Sequence, residues 1–166
     1  MMLLRHAKSS WSDPALADVD RPLAPRGERA STRIAKYIRR KKLRPALVLC
    51  SPSRRTRQTL EAIEPALGRR CAVELVPQLY AASELELLEL LQALPDSVAS
   101  VMIVGHNPGL QDLALALTSA GAELERLKAK FPTAALATLA LPNTTWSQLS
   151  QADAVLAAYV VPKQLG

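Results

Sequence analysis

The chain has only two histidines, and each stands directly after an apolar run: His6 follows MLLR and His106 follows VMIVG. Arg5 sits immediately before His6. A third apolar run, ALVLC, leads into SPSRRTRQT, which carries Arg54, Arg55 and Arg57. Ligands of open α/β sheets bind beyond the carboxyl ends of the strands, so these are the positions where chemistry is expected. Together they suit a dianionic phosphoryl group. Free N–H groups at helix starts attract phosphate, arginine forks bind its oxygens in pairs, and a histidine can hydrogen-bond to it or attack phosphorus. Such a site needs no metal, because its own positive charge meets that of the transferring group. No aspartate or glutamate follows these three runs directly. Arginines in a first helical turn are mildly disfavoured by the helix dipole, so three of them there point to a ligand.

The elements that must position these residues alternate. Met2 to Arg5, Pro45 to Cys50, Ala72 to Val76 and Val98 to Val104 read as short buried strands. Between them lie stretches of helical period: Pro25 to Lys42, Arg54 to Leu67, Glu84 to Leu94 and Leu110 to Thr118. Ser51 is expected to cap the second helix with Pro52 in its first position, and Asn107 with Pro108 to start the fourth. After a further helix around Glu123 to Lys130, Ala134 to Leu141 and Ala154 to Val161 read as strands joined by the polar turn PNTTWSQLSQAD, more hairpin than crossover. The expected fold is a three-layer α/β/α sandwich whose central sheet is mostly parallel and carries one antiparallel strand. The long irregular stretch Ala7 to Ala24 marks a functional loop.

Length and composition fit one domain over residues 1–166: 49% of residues are hydrophobic and 22% charged, the balance of a globular protein. No run approaches the roughly 20 apolar residues that cross a bilayer, and MMLLRHAK reaches a charge too early for a secretory leader, so a cytoplasmic protein without membrane partners is expected. Cys50 and Cys71 read as buried free thiols. The net charge of +6 and pI of 9.7 point to anionic partners.

The segments LRHAKSSW, DRPLAPRG, SPSRRTRQT, VGHNPGL and KFPTAAL resemble the motifs of the histidine phosphatase superfamily, relatives of the cofactor-dependent phosphoglycerate mutases, and most closely its SixA-type phosphohistidine phosphatase branch. The resemblance implies a phosphoglycerate mutase-like fold and a phosphatase without metal or other cofactor. It makes His6 the nucleophile that becomes a transient phosphohistidine, with Arg5, Arg55 and His106 holding the phosphoryl oxygens. Arg55 is preferred to Arg54 and Arg57 because the family's arginine stands five positions into the segment that begins Ser51-Pro52. Asn107, Lys8 and Ser9 are expected to add substrate contacts. The implied substrate is a phosphorylated protein, such as a histidine phosphotransfer domain, or a small phosphate ester.

Two departures bear on this. Ala7 stands where the family most often has glycine, so the backbone there is expected to be ordinary rather than left-handed. In the mutase and phosphomonoesterase branches a glutamate after the third strand protonates the leaving oxygen, whereas PQLYAAS offers no carboxylate until Glu84. Asp13, Asp18, Asp20 and Glu84 are the alternative acids. Without one, an alcohol leaves poorly and a protonated imidazole leaves well, which tilts the substrate toward N–P bonds. A phosphomonoesterase is the nearer alternative. From another class, the run Arg39 to Arg44 and the Arg69-Arg70 pair would suit a basic interaction module. Cations at a helix end are favoured by the dipole, and only 4% aromatic residues leave little for base stacking, so nucleic acid is disfavoured.

Overall fold

In a computed structural model, which describes residues 1–142 and 144–166, the chain forms one seven-stranded sheet with helices on both faces. The strands are β1 (Met2–Arg5), β2 (Leu47–Cys50), β3 (Ala72–Leu75), β4 (Val101–Gly105), β5 (Thr118–Ala120), β6 (Leu136–Ala140) and β7 (Ala154–Val160). The helices are α1 (Pro25–Lys41), α2 (Arg54–Leu67), α3 (Glu84–Gln92), α4 (Gly109–Leu117) and α5 (Leu124–Ala129). The sheet order is β3-β2-β4-β1-β6-β7-β5. β6 is antiparallel to both β1 and β7, and every other pairing is parallel, so β6 is the expected antiparallel strand.

Strand alternation sorts the core into two layers. Leu3, Leu49 and Ile103 face α3, α4 and α5, where Leu87, Leu91, Leu110, Leu113 and Leu127 meet them. Leu4, Val48, Cys50, Met102 and Val104 face α1 and α2, against Ile34, Ile38, Leu60 and Ile63. The central strands β1, β2 and β4 are thus apolar on both sides, as a covered parallel sheet requires.

Four local readings are corrected. β3 is not buried: it forms an edge of the sheet, with Val73 and Leu75 exposed. Thr118 does not end a helix but opens the short strand β5, whose pairing with β7 is long-range and leaves no local signal. α2 begins at Arg54 with Ser53 at its N-cap, so Ser51 and Pro52 lie outside the helix. Cys50 is buried, but Cys71, beside the edge strand, is only half-buried. Part of the expected turn between β6 and β7, Asn143, lies outside the described residues. The cationic run Arg39, Arg40 and Lys41 forms the exposed last turn of α1, which ends at left-handed Lys42.

The loop from β1 to α1 is drawn back along the sheet edge. Ala24 N–H donates to the Lys8 carbonyl at 2.8 Å and Ser10 N–H to that of Pro22 at 2.8 Å. This brings α1 so close that a Cβ on Gly27 would stand 2.2 Å from the Lys8 carbonyl oxygen. Because the obstacle is backbone, Gly27→Ala is expected to cost about 1–3 kcal/mol by overpacking, read as a lowered urea midpoint. An unchanged midpoint would show that the loop yields freely.

Candidate active site

His6 is held from every side by backbone. Its N–H donates to the Gly105 carbonyl at 3.0 Å, while Ala134 N–H lies 3.2 Å from the Arg5 carbonyl and 3.1 Å from that of His6. Ala134 adopts φ 60° to reach them, a conformation that costs a non-glycine residue on the order of 1 kcal/mol. The ring Nδ1–H donates to the Ala7 carbonyl at 2.8 Å. Ala7 is fixed in turn: its N–H donates to Thr59 Oγ1 at 3.0 Å, and that hydroxyl donates to the Arg55 carbonyl at 2.7 Å. Ala7 is not among the residues of positive φ, as expected. With Nδ1 protonated, Nε2 of the neutral ring carries the free lone pair.

His106 lies beside it, the two ring centroids 5.2 Å apart. A guanidinium only donates, so the 3.4 Å contact from Arg55 Nη2 makes His106 Nδ1 the acceptor, and Nε2–H donates to Ser51 Oγ at 2.8 Å. Arg55 is buried at the start of α2, whereas its neighbours Arg54 and Arg57 are exposed. Asp18, in the β1–α1 loop, engages the Arg55 fork twice, accepting from Nη1 on its carbonyl at 2.6 Å and from Nη2 on its carboxylate at 2.9 Å. Tyr80, after β3, donates its hydroxyl to the same carboxylate at 2.7 Å and sets its ring edge-on to His106, 5.6 Å between centroids.

Both histidines are kept neutral. Burial pulls the pKa of His6 down to about 3, and the nearby His106, Arg55 and Arg5 push the same way against the Ala7 hydrogen bond. His106 falls to about 4, again chiefly by burial and then by Arg55. Asp18 is held ionised, mainly by the Tyr80 hydroxyl and also by Arg55 and Arg21, and Tyr80 is raised by Asp18. Arg5 donates from Nη1 to the Phe131 carbonyl at 2.8 Å, and its Nε is buried without a partner among the described residues.

Of the remaining sequence candidates, Asn107 shares the Phe131 carbonyl with Arg5, donating from Nδ2 at 3.1 Å. Ser9 is buried with its hydroxyl accepting from Arg21 Nη2 at 2.9 Å, and Lys8 is exposed. Among the four carboxylates considered as acids, Asp18 alone bonds a residue of this cluster; Asp13 instead closes its own turn on Ala15 N–H. Four residues that the sequence did not place in the site also build the cluster: Ser51 and Thr59, which fix His106 and Ala7, and Tyr80 and Arg21. Arg21 is buried and ties the loop together, donating to Asp18, Ser9 and the Ser10 carbonyl, and stacks on the exposed ring of Trp11. Its place in DRPLAPRG and that of Tyr80 in PQLYAAS were the available signals.

This geometry has known counterparts. Residues 1–80 match the model of the histidine phosphatase superfamily, branch 1. A structure assigned as phosphohistidine phosphatase SixA from Nakamurella multipartitia superposes with a TM-score of 0.82 at 30% identity, covering 97% of this chain and 95% of that one. One so assigned from Agrobacterium tumefaciens gives 0.81 at 32% identity, with 97% and 96% covered. Phosphohistidine phosphatase SixA of Escherichia coli is 32% identical over 110 residues, which are 65% of this chain and 67% of the relative. The chain belongs to the histidine phosphatase superfamily, in its SixA-type branch, and is a phosphatase.

Proposed function

We propose that the protein removes the phosphoryl group from phosphohistidine in a signalling or phosphotransfer protein, through a covalent phosphohistidine on His6. The observation that carries this reading is the neutral His6 ring, its Nδ1–H fixed on the Ala7 carbonyl and its Nε2 free, among Arg5, Arg55 and His106. Nε2 attacks phosphorus in line with the departing nitrogen, the P–N bond to the substrate breaks, and its electron pair goes to the leaving imidazole, which departs neutral if its distal nitrogen is protonated. Water then attacks phosphorus, and the bond to His6 Nε2 breaks to release phosphate. The charge spread over the phosphoryl oxygens is met by Arg5, Arg55 and His106. As the dianion arrives, its charge favours uptake of a proton from solvent at His106 Nδ1, which then donates to a phosphoryl oxygen.

The leaving group follows from what the cluster lacks. Asp18 is ionised, and the Tyr80 proton is committed to Asp18, so neither supplies the strong acid that an alkoxide needs. A phosphorylated protein suits the SixA relatives; a small phosphate ester is the weaker alternative.

His6→Ala is expected to lower turnover of a phosphohistidine-bearing histidine phosphotransfer domain by roughly 10⁴-fold or more, with the fold intact by circular dichroism. Arg55→Ala or His106→Ala is expected to cost about 10²–10³-fold. A chelator should change nothing. Undiminished activity in His6→Ala would defeat the mechanism, and turnover of glycerol phosphate as fast as that of the phosphoprotein would defeat the assignment to N–P bonds.

The ring shifts of His6 and His106 in NMR spectra should stay at their neutral values from about pH 8 down to about pH 5, where a free histidine titrates near 6.5. In the unfolded chain both rings regain that ordinary value and bind protons the folded state refuses. The stability they contribute is therefore present above about pH 6.5 and is lost as the pH falls through about 4 for His106 and about 3 for His6. A His6 midpoint near 6.5 would contradict the buried neutral nucleophile.

A further inference from the structure

Beside the catalytic cluster lies a cleft of about 520 Å³, and Arg5 lines both. Lys8, Arg26, Arg29, Arg33, Lys130 and Lys163 line it as well, all exposed and none in an ion pair among the described residues. Among the described residues no aspartate or glutamate lines it. Of the 21 lysines and arginines in the chain, seven therefore belong to this cleft, while the other fourteen are matched in number by fifteen carboxylate residues. Like charges so gathered repel one another, and an anionic partner relieves the repulsion.

The arrangement distinguishes between anions. Arg26, Arg29 and Arg33 recur at intervals of three and four on one face of α1, which spreads them over about 10 Å. That length exceeds one phosphate and matches a row of carboxylates on a helix of the same pitch. The walls are half apolar, with Ala30, Pro132, Val161 and Pro162 between the cations. A small polyphosphate has no use for such walls, whereas a protein face covers them.

We propose that this cleft docks an acidic face of the phosphoprotein substrate, so that the phosphohistidine is presented to His6 past Arg5. The proposal rests on the phosphohistidine phosphatase reading and narrows the substrate class to proteins with a carboxylate-rich surface beside the phosphorylated histidine. Docking of this kind adds binding without entering the chemistry, so it belongs in KM rather than kcat.

The test compares two variants of equal charge. In one, Arg26, Arg29 and Arg33 are changed to glutamine; in the other, Arg39, Arg40 and Lys41 at the far end of α1. Glutamine is a good helix former, so both should fold. With an acidic histidine phosphotransfer domain in its phosphohistidine form, the cleft variant should raise KM about tenfold at low salt and leave kcat within about twofold. Its turnover of an aryl phosphate should stay within about twofold, and the far-end variant should change neither. The salt dependence of kcat/KM seen with the unaltered protein should flatten in the cleft variant alone. Equal effects of the two variants, or an unchanged KM, would overturn the proposal. Binding of the unphosphorylated domain, measured by calorimetry, separates the two readings. Cleft-dependent binding without hydrolysis of the phosphorylated form sinks the phosphohistidine reading and keeps the docking site, whereas hydrolysis indifferent to the cleft does the reverse. Cleft-dependent binding of inositol hexakisphosphate or of a short RNA duplex, but not of the domain, would reassign the cleft and overturn the proposal.

Discussion

The parallel pairing of β1 with β4 is the constraint on which the site depends. Arg5 stands opposite Gly105, so the next residue of each strand, His6 and His106, emerges at the same level of the same edge. The pairing of Cys50 with Val104 brings Ser51 to that edge as well, where it takes His106 Nε2. A slip of one residue would invert every side chain of β1 between the two cores, exchanging Leu3 for Leu4 and sending His6 elsewhere. Burial of both faces of β1 is what forbids the slip. The apolar core thus sets the distance between two histidines a hundred positions apart in sequence.

A second layer converts position into chemical state. Each histidine has one ring nitrogen committed by a neighbour that is itself held: Ala7 by Thr59, and Ser51 by the sheet end at Val104. Burial then removes the protonated form of both rings. The β1–α1 loop completes this layer through Arg21, which fixes Asp18, which in turn fixes the Arg55 fork that faces His106. The loop is long because it must leave the edge, pass over α2 and return to Gly27.

Much of this was legible in sequence because strand ends carry strong local signals. An apolar run that stops at Arg5-His6, or at Gly105-His106, announces an edge position without any tertiary information, and helical period set the bounds of α1 and α2 within a residue. What sequence concealed depended on long-range pairing or on side-chain direction. β5 exists only because β7 pairs with it. β3 has the composition of a buried strand, yet it lies at the end of the sheet with its side chains exposed. Ser51 has the residue type of a helix cap, but the chain enters α2 two residues later and frees its hydroxyl for His106. The choice of Arg55 over Arg54 and Arg57 rested on resemblance; in the fold the same distinction appears as burial of one guanidinium between two exposed ones.

The features that local preference disfavours gather at this edge: left-handed Ala134, the unpartnered Nε of Arg5, two histidines denied their charge, and cations that outnumber carboxylates. Nothing in the folding of the sheet requires them, and each costs stability that the two cores must offset. In the proposed mechanism a phosphoryl dianion reverses the electrostatic part of that cost, since it meets the charge of Arg5 and Arg55 and gives His106 a reason to hold a proton. In that mechanism the same reversal does not extend to an acid for the leaving group, because Asp18, the carboxylate that engages this cluster among the described residues, is kept ionised first by the Tyr80 hydroxyl and then by the guanidinium it orients. Positioning Arg55 with a carboxylate and protonating a leaving group with that carboxylate are incompatible demands, and this chain has met the first.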